Sequence, residues 1–324
     1  MITHWDEVEG ARREQGHIAA TWRSLTGAGS VTVGVRRITI EPGRWSTPLH
    51  MEGSEEEIFF VLAGDGISVQ DDGHGIAGYP VRAGDCLVHL ALEHAHTLQA
   101  GDGGLDVLAF GQRHYAANTL LPRAGVSWLG PTWVLEGAPD DHPWSREAAI
   151  GPPELGGLAE RPPRIANVDD VDEFERLGTT VARRGRDLGQ AAGSERTGIK
   201  LYDVLPGMLM NPPHSHSAEE EIFVVLEGSG TLELWPHPRA ACEPDRWPGE
   251  HELHALRAGN SVASPAGRGR PMSVRAGDDG LRALAYGTRD PNDITYYPRS
   301  GKVSLRGVGV IGRLEQTGYW DGED

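Results

Sequence analysis

The chain has 324 residues, with 30 Lys and Arg against 47 Asp and Glu, and a formal net charge of −17. This acidity argues against a nucleic-acid partner, because binding to phosphate backbones depends on clustered cations that release counterions. The 44 glycines and 22 prolines make up roughly a fifth of the residues, against a usual one in eight, which excludes a helical bundle and favours short strands joined by turns.

Strands dominate the predicted elements. The candidates are short, rich in β-branched or aromatic residues, and bounded by Gly, Pro or Asp, as strands usually are. In chain order they are residues 31–40, 57–64, 105–111, 198–205, 221–228 and 281–287. A few helical turns are predicted within residues 7–23 and 171–178. The sheet is therefore expected to carry the fold.

The sequence contains an internal duplication. SEEEIFFVLAGDG, from Ser54, matches AEEEIFVVLEGSG, from Ala218, at an offset of 164 residues. Farther along, AGDGGLDVLAFGQR from Ala100 matches AGDDGLRALAYGTR from Ala276 at an offset of 176. The second copy therefore holds 12 extra residues between these blocks, which we place in the Pro- and charge-rich stretch 233–255, within the region 229–256. The repeat predicts two domains, at residues 1–155 and 156–324.

A metal-ligand pattern lies in the second copy, in PPHSHSAEEEIFVVLEG. His214 and His216 are two residues apart, so on a strand both imidazoles project from the same face and can reach one ion. Glu221 opens the next apolar strand, and its carboxylate completes a set of two imidazoles and one carboxylate. Such a set leaves coordination positions open for substrate, water or dioxygen, as a catalytic metal site requires.

This segment resembles the first motif of the cupin superfamily, in which two His and one Glu bind a metal. The matching pattern is Gly207, His214-x-His216, four residues, Glu221, six residues, Gly228. The resemblance implies that His214, His216 and Glu221 are metal ligands. In the family's second motif, a Gly and a Pro-x-Gly turn precede a fourth ligand, a His. Gly259 and the turn at 265–267 are present here, but the ligand His is missing.

Alignment of the two copies shows what replaces it. Met272 lies opposite His96, and Arg270 lies opposite His94. We interpret Met272 as an apolar plug of the pocket, because Met commonly fills irregular core space. Arg270 either anchors a substrate carboxylate through a bidentate pair or lies exposed to solvent.

The first copy departs from the motif at a different place. PLHMEGSEEEIFFVLAG retains His50 and Glu57 but has Glu52 where the second copy has His216. The resemblance puts His96 at the fourth-ligand position, with His94 on the same strand face as a near alternative. His50, Glu52, Glu57 and His96 would form an oxygen-rich set suited to Mn or Fe. The alternative is a decayed site retained for packing.

Other side chains near the motifs are assigned to the barrel wall or to the surface. Phe223 and Tyr286, which correspond to Phe59 and Phe110, are predicted to be barrel core or pocket wall. Four glutamates adjoin the proposed ligands, and most of them are predicted to be solvated strand-edge charges. They are Glu55, Glu56, Glu219 and Glu220.

The resemblance covers most of the chain and implies an all-β bicupin, with two tandem jelly-roll-type antiparallel barrels and a few short helices. It implies a metal-dependent enzyme acting on a small polar or aromatic acid, with dioxygenase-type oxidoreductase chemistry at the second-copy set. Fe(II) or Mn(II) is favoured, while Zn, Ni and Cu stay open. Two alternatives also stay open: a Lewis-acid hydrolase or isomerase, and a non-catalytic cupin that stores or senses a metal or small molecule.

The remaining expectations concern partners and location. No apolar run approaches the roughly 18 residues that span a bilayer, and the N-terminus has no secretory signal pattern. We therefore expect a cytoplasmic protein with a small-molecule substrate, no nucleic-acid or membrane partner, and a tendency to form the homodimers common among cupins.

Overall fold

The structure, a computed structural model, describes residues 2–26, 30–114, 117–129, 143–241, 249–315, 317 and 321–323. The strands, in chain order, are β1 (Ile2–His4), β2 (Ala11–Gln15), β3 (Ile18–Ser24), β4 (Val33–Ile40), β5 (Met51–Glu52), β6 (Glu57–Asp71), β7 (Ile76–Arg82), β8 (Asp85–His89), β9 (Ala95–Gln112), β10 (Asn118–Leu121), β11 (Val126–Leu129), β12 (Ile165–Asn167), β13 (Glu173–Leu177), β14 (Ala182–Arg186), β15 (Thr197–Val204), β16 (Ser215–His216), β17 (Glu221–Leu234), β18 (Glu252–Arg257), β19 (Asn260–Ser264), β20 (Met272–Thr288), β21 (Ile294–Tyr297), β22 (Lys302–Leu305) and β23 (Val310–Arg313). The helices are α1 (Pro143–Ile150) and α2 (Leu188–Ala191), with 3-10 turns at Val168–Asp170, Pro238–Ala241 and Arg306–Val308. None of the helices in these ranges is long and apolar enough to cross a membrane.

The strands form two barrels with the same plan. In the first, the larger sheet has the order β12-β8-β6-β9-β4-β3-β2, with β7 paired to β6, and the smaller sheet is β11-β10-β5. In the second, the larger sheet is β1-β19-β17-β20-β15-β14-β13, with β18 paired to β17, and the smaller is β16-β21-β22-β23. The pairings of these strands are antiparallel. The duplicated sequence thus folds as the predicted pair of all-β barrels.

Glycine is required where the long strands bend. Gly64 in β6 and Gly228 in β17 have φ values of 85° and 77°, in the left-handed region that favours glycine. A Cβ at these positions would lie 2.2 and 2.4 Å from the carbonyl oxygens of Gly104 and Gly280. The strand register shifts beside both glycines, as at a β-bulge, so the same curvature is built twice.

The predicted helical turns at 7–23 and 171–178 are wrong. The first segment forms the β2–β3 hairpin, which turns at Gly16 with φ of 57°, and the second forms β13. Phe174 of β13 packs edge-on against Tyr202, with ring centroids 6.2 Å apart. Pairing with the neighbouring strands therefore outweighs the local preference of these charged segments, as tertiary context often does.

The inserted residues lie in one hairpin loop. In the first barrel β6 ends at Asp71 and β7 begins at Ile76, whereas in the second β17 ends at Leu234 and β18 begins at Glu252. Residues 242–248 of the loop are outside the described ranges. The extra length thus extends a connection and leaves the barrel strands intact.

The two barrels exchange short strands. β1, at the start of the chain, pairs with β19 of the second barrel, and β12, which follows the Pro-rich segment, pairs with β8 of the first. Strand pairing therefore crosses the sequence boundary at 155–156 in both directions. Between the barrels, apolar side chains of both copies form one buried cluster, in which the rings of Phe110 and Tyr286 lie 5.1 Å apart.

Each barrel has one buried glutamate that binds a loop of the other barrel. Glu56 accepts hydrogen bonds from the backbone N–H groups of Glu195 and Arg196 at 2.9 and 3.2 Å. Glu220 accepts equivalent bonds from Thr32 and Val33 at 2.8 and 3.0 Å.

The prediction that the glutamates beside the motifs are solvated is wrong for three of the four. Glu56, Glu219 and Glu220 are only 1%, 3% and 2% exposed. For Glu56 and Glu220 the reason is that backbone N–H groups take the place of water as hydrogen-bond donors.

Candidate metal centres

The predicted ligands of the second barrel lie together. His214 precedes β16, His216 ends it, and Glu221 is the first residue of β17. Oε2 of Glu221 lies 3.3 Å from Nε2 of His214 and 3.5 Å from Nε2 of His216. One ligand atom from each residue lies within 4.8 Å of the other two. The structure thus brings both imidazoles and the carboxylate to a single point.

Hydrogen bonds orient both imidazoles. Nδ1 of His214 donates to the carbonyl of Pro212 at 2.8 Å, and Nδ1 of His216 donates to Oδ2 of Asp293 at 2.7 Å. Each bond leaves Nε2 free for the centre, and such a carboxylate–histidine pair is the usual support of a metal-bound imidazole. Nε2 of His216 is buried and makes no hydrogen bond to any residue that the structure describes, so the site fits a cation.

Asp293 was not selected from the sequence. It is 1% exposed and also accepts hydrogen bonds from the backbone N–H groups of Ala218 and Glu219 and from the Thr295 hydroxyl. The offset of 176 places Ala117 opposite it in the first copy. The copy that has His216 thus has Asp293, and the copy that has Glu52 in place of His216 has Ala117 in place of Asp293. This correlated difference between the copies is the sequence signal that could have identified Asp293.

The ionisation of the site favours positive charge. Burial alone would lower the pKa of His216, but the hydrogen bond to Asp293 and the nearby carboxylate of Glu221 outweigh it and raise that pKa to about 10. Burial would raise the pKa of Glu221, yet the two histidines hold it well below its ordinary value. A proton on His216 therefore occupies the electrostatic place that a metal ion would take.

The triad opens onto a cavity of about 280 Å³. His214 and Glu221 line it, together with Phe223 and Tyr286, the two predicted wall residues. This volume is at the low end of the roughly 300–1,000 Å³ typical of small-molecule pockets. The cavity suits a small substrate.

Arg183 on the cavity wall is a cation that has no acidic partner among the described residues. Its Nη1 donates to the carbonyl of Met210 and to Oδ1 of Asn211, the latter at 2.9 Å, and its guanidinium lies 3.9 Å from the centroid of Tyr202. In the described part of the chain no carboxylate lies within 4.0 Å of it. The other basic side chains of the wall are paired: Lys200 and Arg289 with Asp187, and Arg306 with Glu219.

The two residues opposite the first copy's histidines have separate environments. Met272 is buried in the apolar core of the second barrel, and its backbone pairs with that of His214. Arg270 is not brought to the cavity. Its Nη2 lies 2.7 Å from Oε1 of Glu252, and its Nε donates to the carbonyl of Trp235. Arg270 therefore supports the long hairpin loop.

The first barrel brings together His50, Glu57 and His96. Oε2 of Glu57 lies 3.6 Å from Nε2 of His50 and 3.1 Å from Nε2 of His96. Oε1 of Glu52 is 3.6 Å from Nε2 of His50, while its other oxygen accepts a hydrogen bond from Thr119. Glu52 thus lies at the margin of the set, outside the group in which all ligand atoms are within 4.8 Å of one another.

The first-barrel set also attracts a proton. Burial would lower the pKa of His50, but the bond to Glu57 and the charges of Glu57 and Glu52 raise it to about 9. Burial and the charge of Glu57 raise the pKa of Glu52 to about 7. For His94, the alternative fourth ligand, Nε2 instead lies 2.8 Å from Nδ1 of His89. His89 was not selected from the sequence.

No family model matches this sequence, and no curated protein matches it. Solved structures do match. Oxalate decarboxylase from Bacillus subtilis at pH 4.6 aligns with a TM-score of 0.59 and 16% identity, over 90% of this chain and 76% of that chain. A structure of the same enzyme from a study of its Mn(II) centres aligns with a TM-score of 0.59 and 15% identity, over 90% and 77% of the two chains. The chain therefore shares the fold of these structures, in agreement with the fold that the motifs predicted.

Proposed function

We propose that the chain is a metal-dependent bicupin enzyme that acts on a small carboxylic acid in the second barrel. The observation that carries this proposal is that His214 and Glu221 of the His214–His216–Glu221 triad line the same small cavity as Arg183. Arg183 is a cation that has no acidic partner among the described residues. Fe(II) or Mn(II) suits two imidazoles and a carboxylate. The likeness to an oxalate decarboxylase with Mn(II) centres adds support for Mn(II).

Each residue has a defined task in this proposal. His214 and His216 present Nε2, and Glu221 a carboxylate oxygen, to the metal. Asp293 holds His216 in the tautomer whose Nε2 carries a lone pair. Arg183 binds the substrate carboxylate with its remaining N–H donors, because guanidinium and carboxylate groups match in geometry. A bound metal supplies Lewis acidity and, for Fe or Mn, redox chemistry.

Dioxygenase-type oxidation is the reaction that we place first. Two imidazoles and one carboxylate would leave open positions for substrate and dioxygen on a bound metal, and the side chains of Phe223 and Tyr286 line the cavity beside them. Decarboxylation is the second candidate, favoured by the likeness to oxalate decarboxylase. In both candidates Arg183 would hold the substrate carboxylate beside the residues that bind the metal.

The test uses the full chain loaded with Mn(II) or Fe(II) and a panel of aromatic and dicarboxylic acids. Oxygen uptake with formation of an oxygenated product supports the dioxygenase. Release of carbon dioxide without net oxygen uptake supports the decarboxylase and overturns the first choice. Tight binding of an acid without turnover supports the non-catalytic alternative, and failure to bind any of them overturns the carboxylic-acid proposal.

Two variants locate the activity. His214→Ala should abolish turnover, and His50→Ala should retain it, because only the former residue lies on the cavity with Arg183. The opposite result would place catalysis in the first barrel.

A further inference from the structure

A second group of imidazoles lies in the first barrel, beside the His50–Glu57–His96 set. His89 ends β8, and His94 and His96 stand at the start of β9. Nδ1 of His89 is 2.8 Å from Nε2 of His94, and the rings of His89 and His96 stack with centroids 3.8 Å apart. One nitrogen from each ring lies within 4.8 Å of the other two. The three rings thus bring one nitrogen each into the same small region.

We propose that His89, His94 and His96 form a separate site for a borderline divalent transition metal, of which Zn²⁺ is the representative probe. Three imidazoles without a carboxylate favour Zn, Cu or Ni over the harder Mn and Mg. Zinc–nitrogen bonds of roughly 2.0–2.1 Å place tetrahedral ligand nitrogens about 3.3 Å apart. The His89–His94 pair would open slightly around such an ion. The His96 ring would rotate out of its stack on His89, because parallel rings do not direct their in-plane lone pairs at one point.

His96 has a nitrogen to spare for this site. Its Nε2 lies 3.1 Å from Oε2 of Glu57 and belongs to the first set. Its Nδ1 is buried and has no hydrogen-bond partner in the part of the chain that the structure describes. Buried polar atoms are nearly always paired. A cation bound by His89 and His94 would supply the missing partner, and His96 would then serve both sets through different nitrogens.

The site also has an approach from the surface. His94 lines a second cavity of about 440 Å³, bounded also by Glu93, Tyr79 and Arg164. An entry path is one requirement of a metal site. The ion would therefore reach the three imidazoles through the first barrel without passing the His50–Glu57 side.

The second barrel lacks all three imidazoles. At the offset of 176, Pro265 stands for His89, Arg270 for His94 and Met272 for His96. None of these residues is a ligand for a borderline divalent ion. Since the framework of the two copies is otherwise shared, the histidines form a set that is confined to the first barrel and is not a general feature of the repeat.

The test measures zinc binding to the metal-free full chain. The variants are His94→Ala and His89→Phe, the second of which keeps a ring stacked on His96. Each should lower the zinc stoichiometry by one ion relative to the wild type, and His50→Ala should keep this ion. His74→Ala removes an exposed histidine of the same barrel and serves as the matched control, with unchanged stoichiometry.

Co²⁺ gives an independent readout. In a background of His50→Ala and His214→Ala, which disables the two other ligand sets, its visible absorption at a nitrogen-ligated site should be present, and it should be lost when His89→Phe is added. Circular dichroism of the metal-free variants establishes that they fold. Unchanged zinc stoichiometry and affinity in a folded His94→Ala or His89→Phe variant would overturn the proposal. Because the readout is metal binding, the outcome is independent of any catalytic activity of the second barrel.

Discussion

Replacement of Asp293 by Asn should weaken metal binding in the second barrel. Asn has nearly the same shape and can keep an oxygen on the backbone N–H groups of Ala218 and Glu219, which lie 3.0 and 3.2 Å from the carboxylate. Its NH2 group would then face Nδ1–H of His216, which now lies 2.7 Å from the other oxygen. Two donors cannot pair, so His216 must rotate or move its proton to Nε2, where the metal should bind.

The expected loss is about 10- to 100-fold in metal affinity, the usual effect of removing a carboxylate behind a ligating histidine. This corresponds to about 1.4–2.7 kcal/mol. The same carboxylate helps to raise the pKa of His216 to about 10 against the opposing effect of burial. In the variant, the proton that competes with the metal for His216 is therefore also bound more weakly. A divalent ion carries twice the charge of that proton and loses more when the carboxylate is removed.

The assay is titration of metal-free protein with Mn²⁺ at fixed pH, in which free Mn²⁺ is followed by electron paramagnetic resonance. A His50→Ala background restricts the titration to the second barrel. Thr295→Val is the matched control, because it removes one hydrogen bond to Asp293 but leaves the charge and the bond to His216, and it should change the affinity less than about threefold. If a folded Asp293→Asn variant binds Mn²⁺ as well as this control does, the proposed orienting role is refuted.

Three further predictions concern the cavity and the barrel interface. Arg183→Met should weaken binding of the substrate acid by roughly 10- to 100-fold, because a charge-assisted pair is lost, and should leave the Mn²⁺ affinity unchanged. Calorimetric titrations with the acid and with the metal measure the two affinities separately. If the variant binds the acid as tightly as the wild type does, the role assigned to Arg183 is wrong. Glu56→Gln should lower the free energy of unfolding by about 2 kcal/mol, measured by urea denaturation, while Glu55→Gln changes it little. Burial would raise the pKa of Glu56, but hydrogen bonds, led by that of Thr197, hold it below its ordinary value of 4.5. The stabilisation by Glu56 is therefore complete above pH 4.5 and is lost as the pH falls through the folded-state pKa, so the stability curves of wild type and Glu56→Gln should converge on acidification; parallel curves would exclude this contribution.

The sequence by itself determined the duplication, the all-β class and the grouping of the candidate ligands in the second barrel. These features are local or repetitive. His214 and His216 share a face because strand side chains alternate with a period of two, and Glu221 follows in the next strand at a fixed spacing. Alignment of the two copies at an offset of 164 residues also shows where their candidate ligands differ, as at Glu52 and His216.

Only the tertiary structure decided which distant groups complete each site. Asp293 lies 77 residues from His216, and His89 meets His96 only because β8 and β9 both pair with β6. The physical reason is that long-range strand pairing depends on the packing of the whole sheet. Three-residue strands such as β1 and β12 carry too little pattern to specify a partner. Likewise, the sequence alone does not show whether a glutamate at a strand end is solvated by water or, like Glu56, accepts hydrogen bonds from the backbone of the other barrel.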